Sequence, residues 1–296
     1  MIGVFLLALL PAAIAGADLQ IDHVTAAGAS LKKMQAALSA EGIQTVYGGA
    51  HSNHATEMAL VSFRDGSYLE LIAPQPNGDQ QAIDKHEWAA FMKGDAGPCA
   101  WAARETDLSA EARRLQAAGI AVSAPVKSGR LRPDGVRLEW QTSQVGMETR
   151  GTFFPFVIQD FTDRKQRAFP GGKPLAPDIH GVTRVVIAVK DLDAAFKRYQ
   201  QAYGVPPPIK QVDKSFEAYL ALPGGLPVVL AQPLNAQSWL SGRIRKFGEG
   251  PCAFVLGTGN PGHYKTVSKS RWFSADISWL DPEKLGWFLG FEASSR

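Results

Sequence analysis

Residues 47–74 read YGGAHSNHATEMALVSFRDGSYLELIAP. Two strands can be read from this stretch, Met58 to Phe63 and Tyr68 to Ala73, each apolar enough for a core and joined by a tight Arg64-Asp65-Gly66 turn. Glu70 falls between Leu69 and Leu71 on the second strand. A carboxylate carried into a core is costly unless it is paired. One partner for it is a metal ion, and the other is an ion pair with Arg64 or Arg104. His51 and His54 follow the Gly48-Gly49 turn, and His23, in Ile21-Asp22-His23-Val24, offers a nitrogen in mid-strand. Two imidazoles and one carboxylate make a facial ligand set that leaves positions open for substrate and water.

Outward from this stretch the chain repeats itself. Leu19 to Ala27 reads as a strand, Leu31 to Ala40 as a helix capped by Ser30, and Ile43 to Tyr47 as a strand, so the first unit is βαβββ. A helical segment, Gln81 to Lys93, leads to a second unit: strand Cys99 to Arg104, helix Ser109 to Ala118, then strands at Val122, Val136 to Gln141 and Phe153 to Gln159. A Pro/Gly-rich linker follows. After it come strand Val182 to Val189, helix Asp191 to Tyr203, strands Tyr219 to Leu222 and Val228 to Ala231, and helix Trp239 to Phe247. Gly250-Pro251-Cys252-Ala253 repeats Gly97-Pro98-Cys99-Ala100, so the pair of units is itself duplicated. The fourth unit shows no clear helix between Gly257 and Lys269.

The order of these units, with a histidine on the first strand and a glutamate on the last, resembles the vicinal oxygen chelate superfamily. Within it, Ile21-Asp22-His23-Val24, Gly48-Gly49-x-His51, Thr56, Leu60-Val61-x-Phe63 and Gly66-x-Tyr68-Leu69-Glu70-Leu71-Ile72-Ala73 resemble the glyoxalase-like domain family. Arg132-Pro133-Asp134-Gly135, Leu138-x-Trp140 and Pro155-Phe156-x-Ile158 continue the likeness to about Phe161. The resemblance implies an α+β fold of tandem βαβββ units paired into two curved mixed-sheet domains, the second a degenerate copy. It implies a divalent metal (Zn, Fe, Mn or Ni) held by His23, Glu70 and His51. The function implied is a metal-dependent lyase or isomerase, hydrolase or dioxygenase on a small oxygenated molecule. The alternative is a metal-independent protein that binds or sequesters a small molecule. Glu70 and Glu139 are the candidate catalytic carboxylates, and Asp160 is a further candidate base. Aligning the units puts Ala100 at the His23 place of the second unit, Gln159 near its Glu70 place, and Arg184 and Val228 at these places in the third. The second pair is then not expected to hold a metal. A third reading makes it an interaction surface, with Arg184, Trp239, Trp272 and Trp287 exposed as one patch.

The remaining expectations concern address and partners. Residues 1–17 are uncharged and apolar, ending in Ala13-Ile14-Ala15-Gly16-Ala17, which reads as a cleavable signal peptide for a periplasmic or secreted protein. The domains are then 18–165, the linker 166–177, and 178–296. With a net charge of +3 and scattered basic residues, no nucleic-acid partner is indicated. The apolar run is too short to span a bilayer, so no stable membrane anchor is expected, and a homodimer is left open. Cys99 and Cys252, at matching repeat positions, are expected to be buried thiols rather than a disulfide.

Overall fold

The computed structural model describes residues 19–294; the expected signal peptide, residues 1–17, lies outside them. The first unit comprises β1 (Ile21–Ala27), α1 (Leu31–Ala40), β2 (Val46–Ala50), β3 (Thr56–Ser62) and β4 (Tyr68–Pro74). Two short helices, α2 (Gln80–Lys85) and α3 (Ala89–Lys93), lead to β5 (Gly97–Arg104), α4 (Leu108–Ala117), β6 (Val126–Leu131), β7 (Arg137–Ser143) and β8 (Phe156–Asp160). After α5 (Arg164–Ala168) the plan starts again with β9 (Ile179–Ala188), α6 (Leu192–Tyr203), β10 (Ile209–Asp213), β11 (Ala218–Leu222) and β12 (Val228–Pro233). It closes with α7 (Trp239–Phe247), β13 (Gly250–Thr258), β14 (Ser268–Trp272), β15 (Ala275–Trp279), α8 (Pro282–Leu285) and β16 (Phe288–Ala293).

The strands form two eight-stranded mixed sheets, ordered β2-β3-β4-β1-β5-β8-β7-β6 and β10-β11-β12-β9-β13-β16-β15-β14. The two orders match strand for strand, so the duplication expected from the sequence is present in the fold. In each sheet the two central strands are antiparallel (β1 with β5, β9 with β13), and each is parallel to the last strand of its own unit. Local chemistry sets the helix starts. Ser30, Asp107 and Asp191 each accept a backbone N–H of the first helical turn, satisfying donors that the helix leaves unpaired. At the turn before β4, Gly66 supplies φ +82°, and Asp65 Oδ1 accepts from the Ser67 amide at 2.8 Å.

The structure adds elements that the sequence pattern hides. β6 and β10 are strands of mixed polar sequence, whereas Val122 makes only an isolated bridge to Val145. The fourth unit has all its strands, and only a short turn of 3-10 helix, Pro261–His263, lies between Gly257 and Lys269. A shared core joins the halves: Trp101, Phe153 and Phe154 pack with Tyr199, Tyr203 and Phe254, and the buried Tyr199 hydroxyl donates to the Phe153 carbonyl at 2.6 Å. Cys99 and Cys252 are free, buried thiols, and burial pushes the Cys252 thiol up to about 12.

The second sheet has closed its own interior. Phe216 contacts Trp239, Trp272, Trp279 and Phe288 with ring centroids 4.8–5.6 Å apart; Phe216, Trp272 and Trp279 belong to one buried cluster, and the partly buried Trp239 and Phe288 pack against it. The exposed-patch expectation is corrected here. Trp272 and Trp287 are buried, and Arg184 is engaged by Glu292, with its Nε 3.0 Å and its Nη2 2.7 Å from the carboxylate oxygens.

Candidate active site

Strand alternation places one set of side chains inside the first sheet. His23 comes from β1, Met58 from β3, Tyr68, Glu70 and Ile72 from β4, and Phe156 and Ile158 from β8. All line one cavity of about 80 Å³. Arg130 of β6 and Trp140 and Thr142 of β7 form the facing wall. Phe156 stands edge-on to the His23 ring at 5.4 Å, and Tyr68 stacks on that ring at 4.8 Å with the planes 9° apart. The imidazole is therefore fixed on two sides by apolar surface.

Three residues expected to act together are brought together. His23 Nε2 lies 3.5 Å from Glu70 Oε2, and His51 Nε2 lies 3.7 Å from Glu70 Oε1. Each ring is aimed by its other nitrogen: His23 Nδ1 is 2.6 Å from Asp22 Oδ1, and His51 Nδ1 is 2.9 Å from Thr56 Oγ1. A carboxylate can only accept, so His23 Nδ1 carries the proton, and in the neutral ring its Nε2 presents a lone pair to Glu70. Burial pushes the His51 imidazole down to about 4 against the opposing attraction of Glu70, so that ring is neutral at pH 7. Glu70 is itself buried and accepts from Thr25 Oγ1 at 3.0 Å. Neither Arg64 nor Arg104 pairs with it: Arg104 donates to Gln20 and to the Asp65 carbonyl.

The polar support behind His23 comes from a distance in sequence. The register of β1 against β5 slips between Ile21 and His23, a bulge that turns the Asp22 carboxylate inward beside the next residue's ring. Arg167, from α5, donates from Nη1 to Asp22 Oδ1 at 2.9 Å and from Nη2 to Oδ2 at 2.8 Å. Its Nε and Nη2 also reach Asp160 at 2.6 and 2.8 Å, and its Nη1 reaches the Tyr68 hydroxyl at 2.6 Å. Arg164 also pairs with Asp22. Burial alone would raise the Asp22 carboxyl; Arg167 and the other partners overrule it and hold the group well below the usual carboxylate range. Asp160, a candidate base in sequence, is thus an ion-pair partner of Arg167. The segment expected to begin the linker supplies a buried arginine to the site.

Glu139 is not brought to this cavity. It alternates outward on β7, half exposed, and pairs with Arg137 at 3.2 Å. His54 is an exposed loop residue with φ +55°. His86, assigned no role from sequence, lines the cavity with Trp88 and Arg150. Burial holds the His86 ring down at about 4, and its Nδ1 accepts from the Trp88 amide at 3.1 Å.

The sheet registers also correct the unit alignment. The helix starts Leu31 and Leu108 put Ala100 at the His23 place of the second unit, as expected, and Ala102 at the Thr25 place. Ala102 pairs with Phe156 as Thr25 pairs with Glu70, so the second unit's counterpart of Glu70 is Phe156 rather than Gln159. In the third unit Arg184 stands at the His23 place as expected, but Val185 pairs with Val228 as Val24 pairs with Leu69. The Glu70 place there is Val229, one residue beyond Val228. A slip of one residue exchanges the faces of a strand, so only register separates these assignments.

The donor chemistry of His23, His51 and Glu70 suits a divalent ion, because both imidazoles are aimed by their second nitrogen. As the described residues stand, no three His, Cys, Asp or Glu side chains are already drawn together as a metal site. The two donor separations, 3.5 and 3.7 Å, compare with about 3.4 Å between donors of a tetrahedral set whose bonds are about 2.1 Å. The set would need to contract by a few tenths of an ångström.

The model of the glyoxalase-like domain family matches residues 21–204. The chain belongs to that family, within the vicinal oxygen chelate superfamily. The match runs past the first domain through the linker and to the end of α6. Among solved structures, a hypothetical protein from Staphylococcus aureus aligns over 93% of this chain and 100% of its own, at 14% identity and a TM-score of 0.63, which shows that both halves of the fold recur together. Methylmalonyl-CoA epimerase from Mycobacterium tuberculosis aligns over 40% of this chain and 91% of its own, at 18% identity and a TM-score of 0.35. No curated protein matches the chain.

Proposed function

We propose that the first domain of this glyoxalase-like protein is a divalent-metal-dependent enzyme acting on a small oxygenated molecule, with His23, His51 and Glu70 as the metal-holding set. One observation carries the reading. His23 Nε2, whose ring has already committed its Nδ1 to Asp22, faces Glu70 Oε2 at 3.5 Å inside a buried cavity. Two such groups repel unless a proton or a cation lies between them. His51, neutral for its own reasons, repeats the relation on the other carboxylate oxygen.

A bound divalent ion would supply Lewis acidity toward a substrate oxygen. The protein's own residues do the rest. Asp22 and Thr56 keep the imidazoles aimed, and Tyr68, Phe156 and Trp140 exclude water from around them. Glu70 would be either a ligand or a proton acceptor at its free oxygen, within reach of a molecule held in the cavity. Lyase or isomerase, hydrolase and dioxygenase chemistry all stay within this reading.

A second reading is a protein that sequesters a small molecule without converting it. Ala100 and Phe156, at the two counterpart positions of the second unit, favour it because they halve the polar set. Incubating the purified protein with a mixture of small hydroxy- and oxo-compounds, and following each by mass spectrometry, separates the two. The enzyme reading expects turnover that chelator abolishes and Glu70→Gln removes. A compound retained unchanged by both proteins would favour sequestration. For location we propose export, supported by the apolar run and small-residue tail of residues 1–17; among the described residues no helix is long and apolar enough to cross a membrane.

A further inference from the structure

Arg130 stands out in the cavity wall. It is 3% exposed, and it forms no ion pair among the described residues. Its neighbours are differently placed: Arg167 is neutralised by Asp22 and Asp160, and Arg150 by Glu87 at 2.5 Å. Arg130 donates only to backbone carbonyls, those of Gly48 and, at 3.3 Å, Arg167. Those bonds fix the guanidinium in place but bring it no negative charge. Glu70, the remaining acid of the wall, is turned toward His23 and His51 and lies beyond ion-pair distance of Arg130. A buried, uncompensated cation is costly, and its cost is recovered when an anion arrives.

From this we infer that Arg130 is the anchor for a carboxylate group on the molecule this cavity takes, so that the substrate class is a small monocarboxylate with a further oxygen. The inference rests on the active-site reading above and specifies its ligand. The size agrees. With about 10–15 Å³ per water, the cavity of about 80 Å³ admits a molecule of roughly six heavy atoms. The charge agrees as well, since one unpaired guanidinium is met by one carboxylate, whose two oxygens match its planar fork. Thr142 and Ser128 beside Arg130 add hydroxyl donors on the same wall.

The test is isothermal titration of the full chain at low salt with lactate, its uncharged isostere lactamide, and inorganic phosphate. Each titration is run after chelation and again with added Mn²⁺. Lactate should bind the chelated protein at least about tenfold more tightly than lactamide or phosphate. Arg130→Lys, which keeps the charge and loses the fork, should weaken lactate about tenfold, while the His23→Ala, Glu70→Gln double variant should retain lactate binding without metal. Equal binding of lactate and lactamide by the unaltered chain would overturn the assignment, and so would a preference for phosphate; neither result depends on a variant folding. Lactate binding that needs Mn²⁺ and is untouched by Arg130→Lys would also overturn it, while leaving the metal reading standing. Loss of metal binding with Arg130-dependent lactate binding intact would do the reverse.

Discussion

Asp22 and Arg167 are joined by two parallel hydrogen bonds of 2.9 and 2.8 Å across 145 residues of sequence, with both side chains buried. This pair fixes the ring of His23 from behind and ties the segment after β8 to the first strand. Removing one partner of a buried pair leaves the other charged and desolvated, at a cost of about 3–5 kcal/mol, against a total stability on the order of 5–15 kcal/mol. Arg167→Met is therefore expected to lower the denaturant midpoint severely. An unchanged midpoint would show that the pair contributes nothing net.

Gly49 holds a second structural constraint. Its φ is +113°, and a Cβ there would lie 2.4 Å from the Leu131 carbonyl oxygen, a backbone atom that cannot step aside. β2 and β6 approach one another here, where His51 bridges to Arg130. Gly49→Ala should cost about 1–3 kcal/mol and loosen the His51 and Arg130 wall. Chemical denaturation and the lactate titration together would read both effects.

Glu139 offers the opposite case. Half exposed and paired with the still more exposed Arg137, it should be replaceable. Glu139→Gln is expected to change stability by no more than about 0.5 kcal/mol and to leave metal content and any turnover as they are. A large loss of turnover with stability unchanged would return Glu139 to the catalytic set.

Glu105 gives a prediction in pH. Burial, with Glu111 nearby and Arg114 opposing, raises its carboxyl to about 7. A folded-state value above the unfolded one, about 4.3, means that the folded chain binds the proton more tightly. The contribution to stability is then fully present below about pH 4.3 and is lost as pH rises through about 7. Glu105→Gln should flatten the decline of the thermal midpoint between those values. An identical pH profile for the variant would contradict this.

Much of the fold was legible because both periodicities are strong. The helix Trp239–Phe247 has its expected ends, and the strands around Glu70 lie within two residues of theirs. β6 escaped because Val126-Lys127-Ser128-Gly129-Arg130-Leu131 carries no alternation of apolar residues; its inward residue is an arginine, which pattern reading places in solvent. His23, Glu70 and His51 were legible from a carboxylate and imidazoles set among apolar strand residues, together with the family resemblance. Arg130 and Arg167 were not, because what buries them lies 82 and 145 residues away. Phe156 and Val229 were missed by three residues and one, since register is decided by pairing across the sheet rather than along the strand.

The central claim is that His23, His51 and Glu70 hold a divalent ion. The most direct measurement is the elemental content of the protein purified without chelator, beside the His23→Ala, Glu70→Gln double variant. The account predicts about one zinc, iron, manganese or nickel per chain rather than two, because Arg184 and Val229 replace the set in the second half, and it predicts that the variant loses it. No metal in the unaltered protein even after reconstitution, or metal retained by the variant, would contradict it.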